Sequence, residues 1–450
     1  MSLLPLCILA FSIVLLLFMV LKLKIHAFLS LLIVSVFLGM ATGMPMNAIL
    51  ESMTEGMSST LGFVATVVGI GAIFGQVLES SGGAESLARS LVTKFGKEKA
   101  PYSLAAAGFL VAIPVFLDVG FIILAPVLYA LAKDTKKSLL FYAIPLLAGL
   151  AVTHAFIPPT PGPVAVAEIL QVDLGWLIFF GAVIGIPVTL VAGPLFGRYI
   201  GNRMYVKTPD FFKEEDPLRE TTRLPSFWQV TGMIIIPLAL IVANTVTGVW
   251  AKAHGMTDTF PVHLITFLGH PFIALLIATL VAIYTLGIRR GFTRTAILEL
   301  SSKALNPAGL IILVTGAGGV FKQLLVDSGI GVALAESMSG SALPPLVLAY
   351  LLALIIRVTQ GSATVAMITS AGIMAPLLSA CLLSEPHKAL IVIAIASGAT
   401  TLSHVNDSGF WLVGKYLGMN EKQTLRSWTV METIISITGF TLAFGLSFFF

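Results

Sequence analysis

Ten stretches of this chain are apolar over the length that a helix needs to cross a bilayer, and this limits what it can fold into. They run at roughly 3–21, 25–44, 58–80, 138–170, 174–200, 227–250, 263–288, 304–326, 388–416 and 427–450. A membrane-spanning helix takes about 20 apolar residues. Of the 450 residues, 57% are hydrophobic and 11% charged, where soluble proteins carry about 25% charged residues. The chain therefore reads as an all-α polytopic membrane protein embedded in a lipid bilayer. Its net charge of +4 gives no reason to expect nucleic acid. Cys7 and Cys381 both fall in apolar segments, which argues against a disulfide framework and against a cysteine metal site. The first apolar stretch has no basic n-region and no small-residue cleavage site, so it reads as a retained span.

Two further apolar stretches, about 101–132 and 344–382, are punctuated in the middle. The first carries Pro114, Asp118 and Gly120; the second carries Arg357, Thr359, Gln360, Gly361, Ser362 and Thr364. Basic clusters lie at Lys22/Lys24, Arg89 to Lys99, Lys133/Lys136/Lys137, Arg198 to Arg223, Arg289 to Lys303 and Lys415 to Arg426. Cytoplasmic loops are enriched in Lys and Arg. All six clusters fall on the cytoplasmic side only if each punctuated stretch is a re-entrant helical hairpin, the first entering from inside and the second from outside. Both termini are then expected outside.

The segment from Gly69 to Gly82 matches that from Gly316 to Gly329 without a gap, at an offset of 247 residues (321 minus 74). The expected organisation is a first inverted repeat at 1–205, a cytoplasmic linker at 206–226 and a second inverted repeat at 227–450, with five spans and one hairpin each. The glycines at 316, 318 and 319 sit in an apolar span, where small residues serve close helix packing rather than dinucleotide binding.

Two spans, about 138–170 and 388–416, are broken by residues that are costly in a membrane. The first contains Thr153, His154 and the run Pro158-Pro159-Thr160-Pro161-Gly162-Pro163; the second contains Ser403, His404, Asn406, Asp407, Ser408 and Gly409. Irregular backbone at membrane depth is tolerated only where it lines a cavity or is buried in protein, and paired broken helices in two repeats mark transporter binding sites. Candidate substrate-binding residues are Thr153, His154, Thr160, Gly162, Thr359, Gln360, Gly361, Ser362, Thr364, Ser403, His404, Asn406, Asp407 and Ser408. Helix N-termini freed at the breaks suit an anionic group. Candidates for proton coupling are Asp118, His154, His404 and Asp407, because histidine titrates near working pH and intramembrane carboxylates are functional candidates. Arg357 has three possible partners: a substrate carboxylate, Asp118 or Asp407. No metal ligand set, P-loop or extramembrane catalytic domain is apparent, so the chain is not expected to be an enzyme and no cofactor is expected beyond the coupling proton. Other readings remain: a passive channel, or an intramembrane hydrolase built on Ser408, His404 and Asp407.

At His154–Pro163, Gly316–Gly329, Gln360–Val365 and Ser403–Trp411 the chain resembles the gluconate:proton symporter family, the gluconate permeases of the ion-transporter superfamily. The resemblance covers essentially the full length. It departs from the family pattern at Asp118 and Thr160, where members often carry Glu and His. What it implies is proton-driven import of gluconate or a related sugar acid, a small anionic polyhydroxy acid, across a bacterial inner membrane. It also implies a homodimer whose scaffold domain is fixed while a mobile domain with both hairpins works as an elevator. Relatives of the family carry D-serine or small hydroxy acids, which remain alternative substrates.

Overall fold

The computed structural model describes residues 4–209, 224–256, 258–330, 344–381, 383–405 and 407–450. Most of the expected linker, 210–223, thus lies outside the described residues. The first half contains α1 (Leu4–Leu21), α2 (Ala27–Ala41), α3 (Met46–Ser80), α4 (Gly83–Phe95), α5 (Ala100–Val111), α6 (Leu117–Thr135), α7 (Leu140–Phe156), α8 (Pro161–Leu170), α9 (Leu174–Leu190) and α10 (Phe196–Arg203). The second contains α11 (Phe227–His254), α12 (Phe260–Leu268), α13 (Pro271–Ala282), α14 (Arg294–Asp327), α15 (Pro345–Gln360), α16 (Ala363–Ala380), α17 (Glu385–Ala399), α18 (Ser408–Leu417), α19 (Glu421–Thr424) and α20 (Val430–Leu446). Among the described residues, seven helical segments are long and apolar enough to cross a membrane. The chain is an all-helical, multi-span membrane protein.

The helices stop where the sequence is punctuated. α5 and α6 are separated by residues 112–116, and α15 and α16 by Gly361 and Ser362. Gly361 has φ +80° at the end of α15, a backbone state that costs a β-carbon-bearing residue roughly 1–2 kcal/mol, so glycine is what lets the chain turn there. The other two interruptions fall at 157–160, between α7 and α8, and at 400–407, between α17 and α18.

Two differences from the expected elements have physical causes. The stretch 263–288 is not one helix, because Pro271 disfavours helical geometry at His270 and the chain breaks between α12 and α13. His270 caps α13, its Nδ1 accepting from the Phe272 amide. The basic cluster from Arg89 onward begins on an amphipathic helix rather than a loop. In α4 the buried positions Ala84, Leu87, Ala88 and Leu91 recur at helical spacing, while an ion pair of Glu85 with Arg89 stands on the outer side.

The centre of the molecule is formed by the interrupted helices. Of the most apolar window in Leu140–Leu170, 94% is buried, and every residue of α17 from Ala389 to Ala399 is buried. A helix that is apolar on every face belongs inside a larger core. Both are gripped closely by the helix that precedes a turn. A β-carbon at Gly149 of α7 would stand 2.2 Å from the Ala105 carbonyl oxygen of α5, and one at Gly398 of α17 would stand 2.4 Å from the Tyr350 carbonyl of α15. Gly398→Ala is therefore expected to destabilise by about 1–3 kcal/mol, the usual cost of overpacking, and a fluorescence melt in detergent should show a lower thermal midpoint.

Outside this centre, α3 and α14 cross antiparallel. Ser52 of α3 donates to Asp327 of α14 at 2.6 Å, and Gly56 lies against Gly319. The glycines at 316 and 319 of α14 face Met57, Thr60 and Leu61 of α3, and Gly318 faces Ile368 of α16, which agrees with a packing role. The C-terminal ends of α3 and α14 also match. Ser81 and Ser328 cap them, and Gly82 (φ +76°) and Gly329 (φ +73°) follow.

Candidate functional site

The first interruption is built by proline. α7 ends when the Ile157 amide donates to the Thr153 carbonyl at 3.0 Å; Pro158 and Pro159 follow, joined by a cis peptide. The Thr160 hydroxyl turns back to the Ile157 carbonyl at 2.6 Å. α8 then begins Pro161-Gly162-Pro163, and because proline has no N–H, Gly162 holds the one free amide among the first three positions. A β-carbon at Gly162 would meet Met367 Sδ at 3.0 Å, so this interruption abuts α16. The His154 ring lies 6.1 Å from the Phe116 ring of the α5–α6 tip. Thr153 Oγ1 and His154 Nδ1 are buried without a hydrogen-bond partner among the described residues. Asp118 is exposed in the first turn of α6, near enough to act electrostatically on His154 and Glu79. A small cleft is lined by Val68, Gly71 and Ala72 of α3, by residues 113–116 of the tip and by Pro159–Pro161.

The second interruption is built by charge. Arg357, in the last turn of α15, is 2% exposed. One end of its guanidinium, Nη1, donates to the Gly361 carbonyl; the other, Nη2, meets Asp407 Oδ2 at 2.5 Å. A planar guanidinium suits two acceptors at once. It thereby ties the α15–α16 turn to the break between α17 and α18. The Ser403 hydroxyl also donates to Asp407 Oδ2, receives Trp428 Nε1 at 2.6 Å, and the Ser403 carbonyl accepts from the Thr429 hydroxyl. Trp428 and Thr429 lie in a π-helical turn, Leu425–Thr429, of the kind often found at functional sites. Of the two side-chain partners open to Arg357, Asp118 and Asp407, it pairs with Asp407.

The N-terminus of α18 is already occupied by an anion from the chain itself. Asp407 is its cap, and Oδ1 accepts from the Gly409 amide at 3.0 Å. An arriving carboxylate would have to displace Asp407 there. The Ser362 hydroxyl caps α16 through the Val365 amide at 3.4 Å, and Thr364 sits half-buried in the first turn of that helix. Gln360 brings both side-chain polar atoms into buried positions with no hydrogen-bond partner among the described residues. Other candidates are spent locally. The Thr359 hydroxyl bonds back to its own helix at Ile355 and Ile356, and His404 Nδ1 contacts the Leu402 carbonyl at 2.9 Å. Ser408 is exposed, and Asn406 lies outside the described residues. With Asp407 held by Arg357 and Ser403, and His404 held by Leu402, Ser408 is not part of a Ser-His-Asp chain.

One residue missing from the sequence-derived set is Glu432. It is 4% exposed and within electrostatic reach of Arg357 and Asp407. The signal for it was available: it is the lone charged residue in the apolar stretch 427–450, and a carboxylate within a span is a functional candidate.

Residues 4–449 match the model of the GntP family permeases. The low-affinity gluconate transporter of Escherichia coli K12 is 41% identical over 428 residues, covering 95% of each chain. The Gnt-II system L-idonate transporter of the same organism is 37% identical over 435 residues, covering 97% of each. The solved Alcanivorax borkumensis YdaH transporter shares the fold, with a TM-score of 0.69 at 15% identity over 94% of this chain and 98% of that one. A full-length family match and this identity to curated relatives settle the classification: the chain belongs to the GntP family permeases, and is a transporter rather than an enzyme.

Proposed function

We propose that this permease is a proton-coupled importer of gluconate or a closely related sugar acid, working by alternating access in the inner membrane. The observation that carries this reading is the Arg357 junction, where a buried guanidinium joins a helix turn to a broken helix beside an acidic pair. A carboxylated substrate competes for that guanidinium, and a proton relieves the acidic excess. The relatives named for gluconate and L-idonate support an aldonate. Hydroxyls, amides and an imidazole nitrogen for its polyol chain would come from Thr153, Thr160, Ser362 and Thr364, from Gly162 and Gln360, and from His154.

The architecture assigned to this function is an inverted repeat, 1–205 and 227–450, with α5–α6 and α15–α16 as re-entrant hairpins and both termini outside. Three features support it. Gly149 and Gly398 make equivalent close contacts to the preceding hairpin helix in the two halves. The ends of α3 and α14 carry equivalent caps. The contact of Gly69 with Leu305 is mirrored by that of Gly316 with Met57 and Leu61, as a two-fold relation between antiparallel helices requires. Such repeats place substrate near the midplane and alternate access by moving one body against another; here we assign the hairpins and broken helices to a mobile body in a homodimer.

Purified protein in liposomes is expected to accumulate labelled gluconate when the outside is acidic, and a protonophore should collapse the accumulation. Unlabelled L-idonate should compete better than D-serine. Accumulation that follows an imposed sodium gradient instead would overturn the proton assignment, and stronger competition by D-serine would overturn the substrate class.

A further inference from the structure

We propose that Glu432 carries the coupling proton by sharing Arg357 with Asp407 where α20, α15 and the second break meet. This rests on the proton-coupled reading above and names its titrating group. Glu432 is on α20 one turn after the π-helical turn that supplies Trp428 and Thr429 to Ser403. Its Oε1 is buried with no hydrogen-bond partner among the described residues, and so is Arg357 Nε. Asp407 differs: its two oxygens accept from Arg357, Ser403 and the Gly409 amide. A proton entering the cluster finds its open position on Glu432.

The charge census of the surroundings is short. Arg357 on α15 and Asp407 in the break act on Glu432, and Tyr350 of α15 faces α20 one turn further on, its hydroxyl 3.1 Å from Ser436 Oγ. Of the other elements packed against α20, α17 carries Glu385, His387 and Lys388 in its first turn, at the end where Ser384 contacts Phe450, far along α20 from Glu432. α7 carries His154, which faces Phe116; α9 has no ionisable side chain. Arg426 is exposed. Two carboxylates and one guanidinium therefore leave one negative charge uncompensated, with Glu432 itself buried, and a single proton neutralises it. In the carboxylate state the excess charge repels a substrate carboxylate. When the proton forms the O–H bond of a Glu432 carboxylic acid, the cluster is neutral and admits it. Proton and substrate then bind with positive coupling, which linkage makes reciprocal, and the O–H bond breaks again on the less acidic side.

The test uses full-length protein in liposomes. Glu432→Gln, which resembles the protonated acid, is expected to bind gluconate independently of pH and to exchange labelled for unlabelled substrate, while its acid-driven accumulation ratio falls to unity. Glu432→Asp keeps a titrating carboxyl one methylene further back, and should retain accumulation with a displaced pH profile. Glu432→Gln that accumulates gluconate with the wild-type pH profile would overturn the proposal. If Glu432→Gln is inactive throughout because it does not fold, an unchanged pH profile in Glu432→Asp would overturn it equally. A wild-type protein indifferent to pH removes the coupling reading itself, a result distinct from either variant outcome.

Discussion

Arg357→Met is expected to abolish gluconate accumulation and to lower the thermal midpoint in the same preparation. Methionine keeps most of the side-chain volume but removes the guanidinium that holds the Gly361 carbonyl and Asp407 together. Asp407 and Glu432 are then left together without the one cation that acts on Glu432 among the described residues. Breaking one side of a buried ion pair costs on the order of 3–5 kcal/mol, which is roughly a hundredfold or more in any equilibrium that depends on it. Arg357→Lys should fail nearly as badly, because a compact ammonium does not bridge two acceptors as a planar fork does. The informative variant is the double substitution Arg357→Met with Asp407→Asn. Removing both charges should restore much of the thermal stability without restoring transport, since the guanidinium proposed to receive the substrate carboxylate is still gone. Wild-type uptake by the double variant would show that the pair is a structural clamp and would sink its recognition role.

The same junction shows how far sequence reasoning reaches in a membrane protein. Most of the spans were legible because a bilayer imposes one length and one polarity on every crossing helix, although 263–288 is divided at Pro271. The interruptions were legible because Pro158 to Pro163 and Ser403 to Gly409 are costly in lipid unless something is built around them. The partner of Arg357 was not legible. Asp407 lies 50 residues away, and the sequence offers Asp118 equally as a side-chain partner; the docking of the α15–α16 turn on the break brings Asp407 to it. Glu432 stands alone in an apolar run, and a single carboxylate carries less signal in sequence than the clustered polar residues at the two breaks. The amphipathic α4 escaped for the opposite reason: its charges exclude it from a search for spans, although Ala84, Leu87, Ala88 and Leu91 carry a clear helical period. Local chemistry was readable, then, and the long-range choice among equivalent partners was not. His154 illustrates both sides, flagged by its place in an apolar helix yet given its neighbours, Phe116 and Asp118, only by the seating of the first tip.

That seating makes Gly75→Ala the second large effect. A β-carbon at Gly75 of α3 would stand 1.9 Å from the Pro114 carbonyl oxygen in the α5–α6 tip and 3.0 Å from its carbonyl carbon. Both contacts are backbone, so no side chain can swing aside. One turn earlier, Gly71 lies against Pro159 of the first interruption, so α3 offers a smooth face to the tip and the break together. If the tip and break move past α3 during transport, the clash penalises this arrangement and spares the one in which they have separated. Overpacking costs about 1–3 kcal/mol, enough to shift a two-state balance by roughly fivefold to a little over a hundredfold. The expected result is a folded protein whose thermal midpoint changes little, whose uptake falls at least in that proportion, and in which a cysteine placed at Ile113 reacts faster with a membrane-impermeant maleimide than it does beside native Gly75. A protein that melts far below the wild type, with Ile113→Cys no more reactive, would mean that tip and α3 stay seated in every state. That outcome would rule out a sliding contact at α3 and leave movement, if any, to the second tip, where Arg357 must first release Asp407.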